Sequence, residues 1–139
     1  MKKTALFLAV IGLITIAATG LVFSKETTSK NYSLKEDEKK ECIEACNACI
    51  SWCEKVEAMC SKEKNAKMAE CEKLCKECVT ACKGAVKAMQ ANSENAKTKC
   101  SECAKACEKC ATECDKFDMA DCKKCATDCR NAAKHCKAM

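Results

Sequence analysis

Eighteen cysteines dominate the chemistry this chain can do, and all of them follow Lys40. They are Cys42, Cys46, Cys49, Cys53 and Cys60; Cys71, Cys75, Cys78 and Cys82; Cys100, Cys103, Cys107, Cys110 and Cys114; and Cys122, Cys125, Cys129 and Cys136. Within each group the intervals are 3, 4 or 7 residues. Seven C-x-x-x-C pairs account for fourteen of them: 42/46, 49/53, 71/75, 78/82, 103/107, 110/114 and 125/129. Residues four apart share a helix face, with Cβ atoms about 5–6 Å apart. Two thiolates so placed can flank one ion, and soft thiolates select Cu(I), which accepts two-thiolate coordination. The first expectation is a container for soft metal ions.

Three other chemistries fit cysteine less well here. A disulfide scaffold suits an even cysteine count, yet bridges between residues three or four apart close tiny loops and stabilise little. Zinc or cadmium in a metallothionein-like store is the second. Zinc takes four ligands in a tetrahedron. A four-thiolate zinc site carries two excess negative charges, and several stacked in a dry core are costly. One Cu(I) per thiolate leaves the core neutral, so charge favours copper, with zinc or cadmium as the alternative occupants. Redox catalysis is the third, since C-x-x-C occurs at 46/49, 75/78, 100/103, 107/110 and 122/125. A thioredoxin-like site needs one such motif beside a strand–helix unit, and five tandem copies in a chain without proline do not offer it. Iron–sulfur clusters usually take their cysteines from loops.

Other soft donors are few. His135, the single histidine, adjoins Cys136 and is a candidate ligand at one end of the cysteine array. Met59, Met68 and Met119 fall near Cys60, Cys71 and Cys122. Thioethers bind Cu(I) and can serve as entry ligands at that end, although a seam methionine such as Met68 packs equally well as core.

The elements that must position these sulfurs are helices. Steps of 3 and 4 mark the buried seam of a helix in a bundle, with thiols standing where leucine normally stands. The segment is rich in Ala, Lys, Glu and Cys, has no proline, and places only Gly84 among its cysteines. Four seams run without a stutter: Cys42 to Cys60 through Val56; Met68 to Met89 through Ala85; Ala96 to Phe117; and Cys122 to Met139 through Ala132. A capping box, Ser33-Leu34-Lys35-Glu36, is expected to open the first helix, which runs to about Cys60. Ser61–Asn65 and Gln90–Ser93 are the expected connections, with Asn92 or Ser93 capping the third helix and Asp118 the fourth. Short connections make neighbours antiparallel. The fold class is therefore all-α: an antiparallel up-down-up-down four-helix bundle with a cysteine-lined core, preceded by an N-terminal signal segment. Cys60 and Cys122 are expected at one end, Cys100 and Cys136 at the other.

Three segments divide the chain. Residues 1–24 read as a signal peptide, with Lys2-Lys3 ahead of the apolar stretch Ala5 to Ala18. The alternative is an uncleaved anchor, because Ala5 to Phe23 nearly matches a bilayer span. Residues 25–33 read as a flexible polar linker, and residues 34–139 as the cysteine-rich bundle. Export to an extracytoplasmic or periplasmic space follows, or membrane anchoring under the alternative. Net charge is +5, nearer +3 once Lys2 and Lys3 are set aside, and lysine and glutamate are interspersed. That is a solvated mixed surface and no nucleic-acid patch. Ile43, Ile50, Trp52, Leu74, Val79 and Val86 flank the seams and pack between helices or against a second copy of the chain.

At these residues the chain resembles the bacterial copper storage proteins, cysteine-rich four-helix bundles. The resemblance covers roughly Glu41 to Met139. It is strongest in Cys107-Glu108-Lys109-Cys110-Ala111-Thr112-Glu113-Cys114-Asp115-Lys116-Phe117 and in Cys122-Lys123-Lys124-Cys125-Ala126-Thr127-Asp128-Cys129. It implies a non-enzymatic protein whose seam thiolates hold many Cu(I) ions, admitted through one open end. Copper donor and acceptor proteins are its implied partners. In that family histidines and methionines at the mouth help entry, whereas this chain has His135 alone as a histidine there.

Overall fold

The structure, a computed structural model, describes the backbone of residues 14–139 and the side chains of residues 35–139. It contains four helices: α1 (Ile14–Glu63), α2 (Ala69–Gln90), α3 (Ala96–Cys114) and α4 (Ala120–Ala138), with a 3-10 turn (Ala66–Met68) before α2. There is no strand among the described residues. A compact unit spans Glu38–Met139 and holds all eighteen cysteines. Among the described residues no helix is long and apolar enough to cross a membrane. The side chains of residues 1–24, read above as a leader, lie outside the described residues.

Sulfur contacts fix the directions of the helices. Cys42 meets Cys136 at 3.6 Å, and further along α1 Cys53 meets Cys125 at 3.6 Å, so α1 and α4 are antiparallel. Cys82 lies against Cys103 and Cys75 against Cys110, so α2 and α3 are antiparallel too. Cys46, Cys49 and Cys53 meet Cys103, Cys107 and Cys110 in the same order, which makes the diagonal pair α1 and α3 parallel. That is the up-down-up-down bundle.

Three caps differ from the sequence expectation. Ser33 does not open α1, because the described backbone is already helical from Ile14 and stays so through residues 25–33. Neither proline nor glycine stands between Leu21 and Glu63 to stop it. Asp118 does not cap α4 either. Met119 holds that position in an extended conformation (φ −111°, ψ 136°), and the Asp118 carboxylate instead accepts from Lys123. At α3 the cap position belongs to Asn95, while Ser93 donates from its hydroxyl to the Asn95 side-chain oxygen at 2.8 Å.

Asn92 serves the end of α2 instead. Its φ of 48° is left-handed. The Asn92 N–H reaches the Met89 carbonyl and the Ser93 N–H reaches the Ala88 carbonyl, the paired bonds of a Schellman closure. Lys64 (φ 45°) turns the chain after α1. Asn65 then accepts from the Lys67 N–H at 3.0 Å and caps the 3-10 turn.

The core is sulfur and small side chains. Every cysteine is buried, and Val56, Met68, Ala85, Met89 and Ala132 complete the seams. Beside the seams, Ala45, Ala104, Ala111, Ala126 and Ala133 are buried as well. Small residues on both sides of a thiol let helix backbones approach closely enough for sulfurs to touch across the axis. Outside, Lys83–Glu54 (2.8 Å) joins α2 to α1 and Lys55–Asp121 (2.9 Å) joins α1 to α4. Such exposed pairs contribute about 0–1 kcal/mol each and serve mainly solubility.

Candidate metal centre

All eighteen cysteines are free thiols. The least covered, Cys60 and Cys136, are only 3 % exposed. The C-x-x-x-C spacing points to pairs within one helix, and some exist: 49/53 at 3.9 Å, 103/107 at 3.8 Å and 125/129 at 3.9 Å. The shortest contacts nevertheless run between helices. Cys103 donates to Cys82 at 3.3 Å, Cys49 to Cys129 at 3.4 Å and Cys78 to Cys107 at 3.5 Å. A heptad seam aims each thiol at the axis, and there the nearest sulfur belongs to a neighbour.

The sulfurs form layers along the bundle. Three central groups each bring four sulfurs within 4.8 Å of one another: Cys49, Cys78, Cys82 and Cys107; Cys49, Cys53, Cys78 and Cys129; and Cys53, Cys75, Cys110 and Cys125. The last takes one cysteine from each helix. Toward the end that holds Cys42 lie two triads, Cys46/Cys82/Cys103 and Cys42/Cys100/Cys136. At the opposite end Cys71 faces Cys114 at 3.8 Å and interacts with both Cys60 and Cys122. The predicted partition of the end cysteines holds.

Burial sets the protonation of this core. It pushes the Cys60 thiol up from 9.0 to about 12 and the Cys122 thiol up to about 11, the nearby Cys71 adding to both. Burial raises Cys100 as well. Within the stack, hydrogen bonding shifts neighbouring thiols in opposite directions. Bonds to Cys110 and Cys103 raise Cys75 and Cys82, whereas bonds from Cys114 and Cys107 lower Cys110 and Cys103. Without metal the core is a stack of thiols in contact, neutral and apolar enough to pack. A soft cation that displaces a proton meets ligands already in contact.

The geometry is that of a polythiol vessel, and the comparisons agree. Residues 35–139 match the family described as copper storage protein. The chain belongs to the copper storage protein family. The Cu(I)-bound copper storage protein BsCsp3 superposes with a TM-score of 0.70 and 39 % identity, covering 73 % of this chain and 97 % of that one. Apo copper storage protein 3 from Bacillus subtilis superposes with a TM-score of 0.66 and 38 % identity, covering 71 % and 95 %. No curated protein matches the chain.

In this copper storage protein the other candidate donors divide between the ends. His135 is partly buried beside Cys136, with Nδ1 4.0 Å from a Glu41 carboxylate oxygen. Met68 is buried, and Met59 and Met119 are partly buried against the core. Met59 adjoins Cys60, and Met68 and Met119 each precede Cys71 and Cys122 by three residues. Histidine and this methionine trio thus sit at opposite ends. Sequence reasoning did not find the layered four-sulfur groups or the five flanking alanines. The alanines left a signal, since Ala104, Ala111 and Ala126 each directly follow a seam cysteine.

Proposed function

We propose that this chain is an exported, non-enzymatic store and buffer for Cu(I), with the seam cysteines as ligands. One observation carries the reading: eighteen buried free thiols, most of them in sulfur–sulfur contact with thiols of neighbouring helices, fill the core from the Cys42–Cys136 pair to the Cys71–Cys114 pair. Loading replaces each proton by one Cu(I), so the column stays neutral as it fills, and charge sets no limit before the thiols run out. The similar BsCsp3 protein is described as Cu(I)-bound. The chemistry this chain supplies is ligation, and its thiols are buried away from any substrate larger than an ion. Its partners are copper ions, proteins that deliver or accept copper at a bundle end, and a second copy of the chain against the partly buried Ile43, Ile50 and Val86. His135 at one end, or Met59, Met68 and Met119 at the other, form the mouth.

Anaerobic titration of the reduced chain with Cu(I), against a chromophoric Cu(I) chelator, tests this. Roughly one ion per cysteine, about 15–20 per chain, is the expected capacity. Saturation at four or five ions overturns it. Export from the leader at residues 1–24 is tested by locating the chain in fractionated cells and sequencing its N-terminus. A full-length, membrane-retained chain indicates the anchor alternative.

A further inference from the structure

Two of the four-sulfur groups share no cysteine. Cys49, Cys78, Cys82 and Cys107 form one, and Cys53, Cys75, Cys110 and Cys125 the other. The third group borrows Cys49 and Cys78 from the first and Cys53 from the second, adding only Cys129. It cannot fill once either neighbour is filled. We propose that the core also binds divalent soft or borderline cations, of the Zn(II), Cd(II) or Co(II) kind, in two tetrahedral four-thiolate sites formed by the two disjoint groups.

Five of the six edges of the first group and three of the second are already close to those of a tetrahedron, and the others are within 4.8 Å. With Zn–S bonds of about 2.3 Å, the edge between two sulfurs is about 3.8 Å. In the first group Cys49 lies 3.6, 3.9 and 3.9 Å from Cys78, Cys82 and Cys107. Cys107 lies 3.5 Å from Cys78 and 3.6 Å from Cys82. In the second group Cys53 lies 3.8 Å from Cys110 and 3.6 Å from Cys125, and Cys75 lies 3.6 Å from Cys110. Sulfurs in contact across the axis are thus spaced as neighbouring corners of a zinc site, and no edge has more than about 1 Å to close.

The disjoint groups set the number at two, and charge works against more. A four-thiolate site around a divalent ion carries a net −2, which a dry core tolerates only with nearby donors. Protonated thiols supply them. Cys129 lies between the sites, 3.4 Å from Cys49 and 3.6 Å from Cys53, in reach to donate its S–H once metal binding has deprotonated either of them. Cys103 donates to Cys82 at 3.3 Å. Each divalent ion releases about four protons and uses four thiols, whereas Cu(I) uses about one, so the two cargoes compete for the same sulfurs at very different capacities.

The test is an anaerobic titration of the reduced full chain with Co(II), repeated with Cd(II). Thiolate-to-metal charge transfer, the visible bands of tetrahedral cobalt and released protons are followed together. Both metals are expected to break at two ions per chain, with tetrahedral cobalt bands. Cys75→Ser and Cys82→Ser are each expected to lower the break to one. Cys129→Ser is expected to leave it at two while lowering Cu(I) capacity by about one. A break at one that Cys129→Ser abolishes assigns the ion to the shared middle group and overturns the proposal. So does a break above two, or cobalt bands of octahedral type. Far-UV circular dichroism checks each variant, and Cys75→Ala and Cys82→Ala replace any serine variant that unfolds. Because Cu(I) is titrated separately, full Cu(I) uptake without a divalent break overturns this inference alone.

Discussion

Removing a thiol has consequences that depend on its layer. Cys110 belongs to the group that takes one cysteine from each helix, whereas Cys60 belongs to an end cluster with Cys71 and Cys122. Replacing Cys110 and Cys114 together by alanine is expected to remove about two Cu(I) and to leave the bundle folded. Each lost sulfur deletes roughly a methylene's worth of burial, so the apo form loses about 1 kcal/mol per site plus a small cavity contribution. Cys60→Ala is expected to lose at most about one ion and to alter the uptake rate more than capacity. Chelator-monitored stoichiometry and stopped-flow loading distinguish the two. Equal losses at both positions would show that the layers do not act as separate ligand groups. The ligand types were legible in the sequence because cysteine occupied most turns of four seams. Their partners were not, because a heptad reveals which face is buried but not how far a neighbouring helix is shifted along its axis.

Helix existence and order were also legible, since uninterrupted 3-and-4 spacing in a chain without proline allows little else. The ends were not. Ser33 and Asp118 both carry the side chain of a good cap, yet the backbone runs helical through the first and places Met119 at the second cap position. Capping needs a particular backbone conformation as well as a suitable side chain, and tertiary packing decides where the chain turns. Asn92 shows the converse: its left-handed φ of 48° closes α2, and its side-chain oxygen accepts from Lys39 at 2.9 Å. Asn92→Ala is expected to destabilise the apo bundle by about 1 kcal/mol, through the left-handed penalty on a Cβ-bearing residue that cannot bond locally. Asn92→Gly is expected to be nearly neutral, because glycine adopts that conformation freely. Urea unfolding followed at 222 nm measures both.

For the molecule as a whole, the metal-free state is already a packed protein. Neutral thiols fill the core as small apolar groups, and all four helices have ordinary interior contacts. The reduced apo form is therefore expected to show a strongly helical far-UV spectrum, and a coil spectrum that becomes helical only with metal contradicts this. Alkali is the condition that weakens it. Folding raises Cys60 from 9.0 to about 12 and Cys122 to about 11, so the folded state holds protons that the unfolded chain releases. Stability from these groups is complete below pH 9 and declines as pH rises toward 11–12. The urea midpoint of reduced apo protein is expected to be level from pH 7 to 8.5 and to fall by pH 10.5. Acid acts on cargo instead: each Cu(I) displaces a proton, so loading weakens as pH falls.

Trp52, the single tryptophan, packs against the core next to Cys53, with the Lys55 ammonium 4.4 Å from its ring centre. Its neighbour belongs to the middle of the sulfur column, so the indole is an internal optical gauge placed at half depth. Copper–thiolate units forming at Cys53 are expected to quench its emission, while ions held only at the ends leave it bright. The point in a titration at which the fluorescence drops therefore reports whether the vessel fills from its middle or from its rims. Trp52→Phe is expected to abolish the signal while leaving capacity intact.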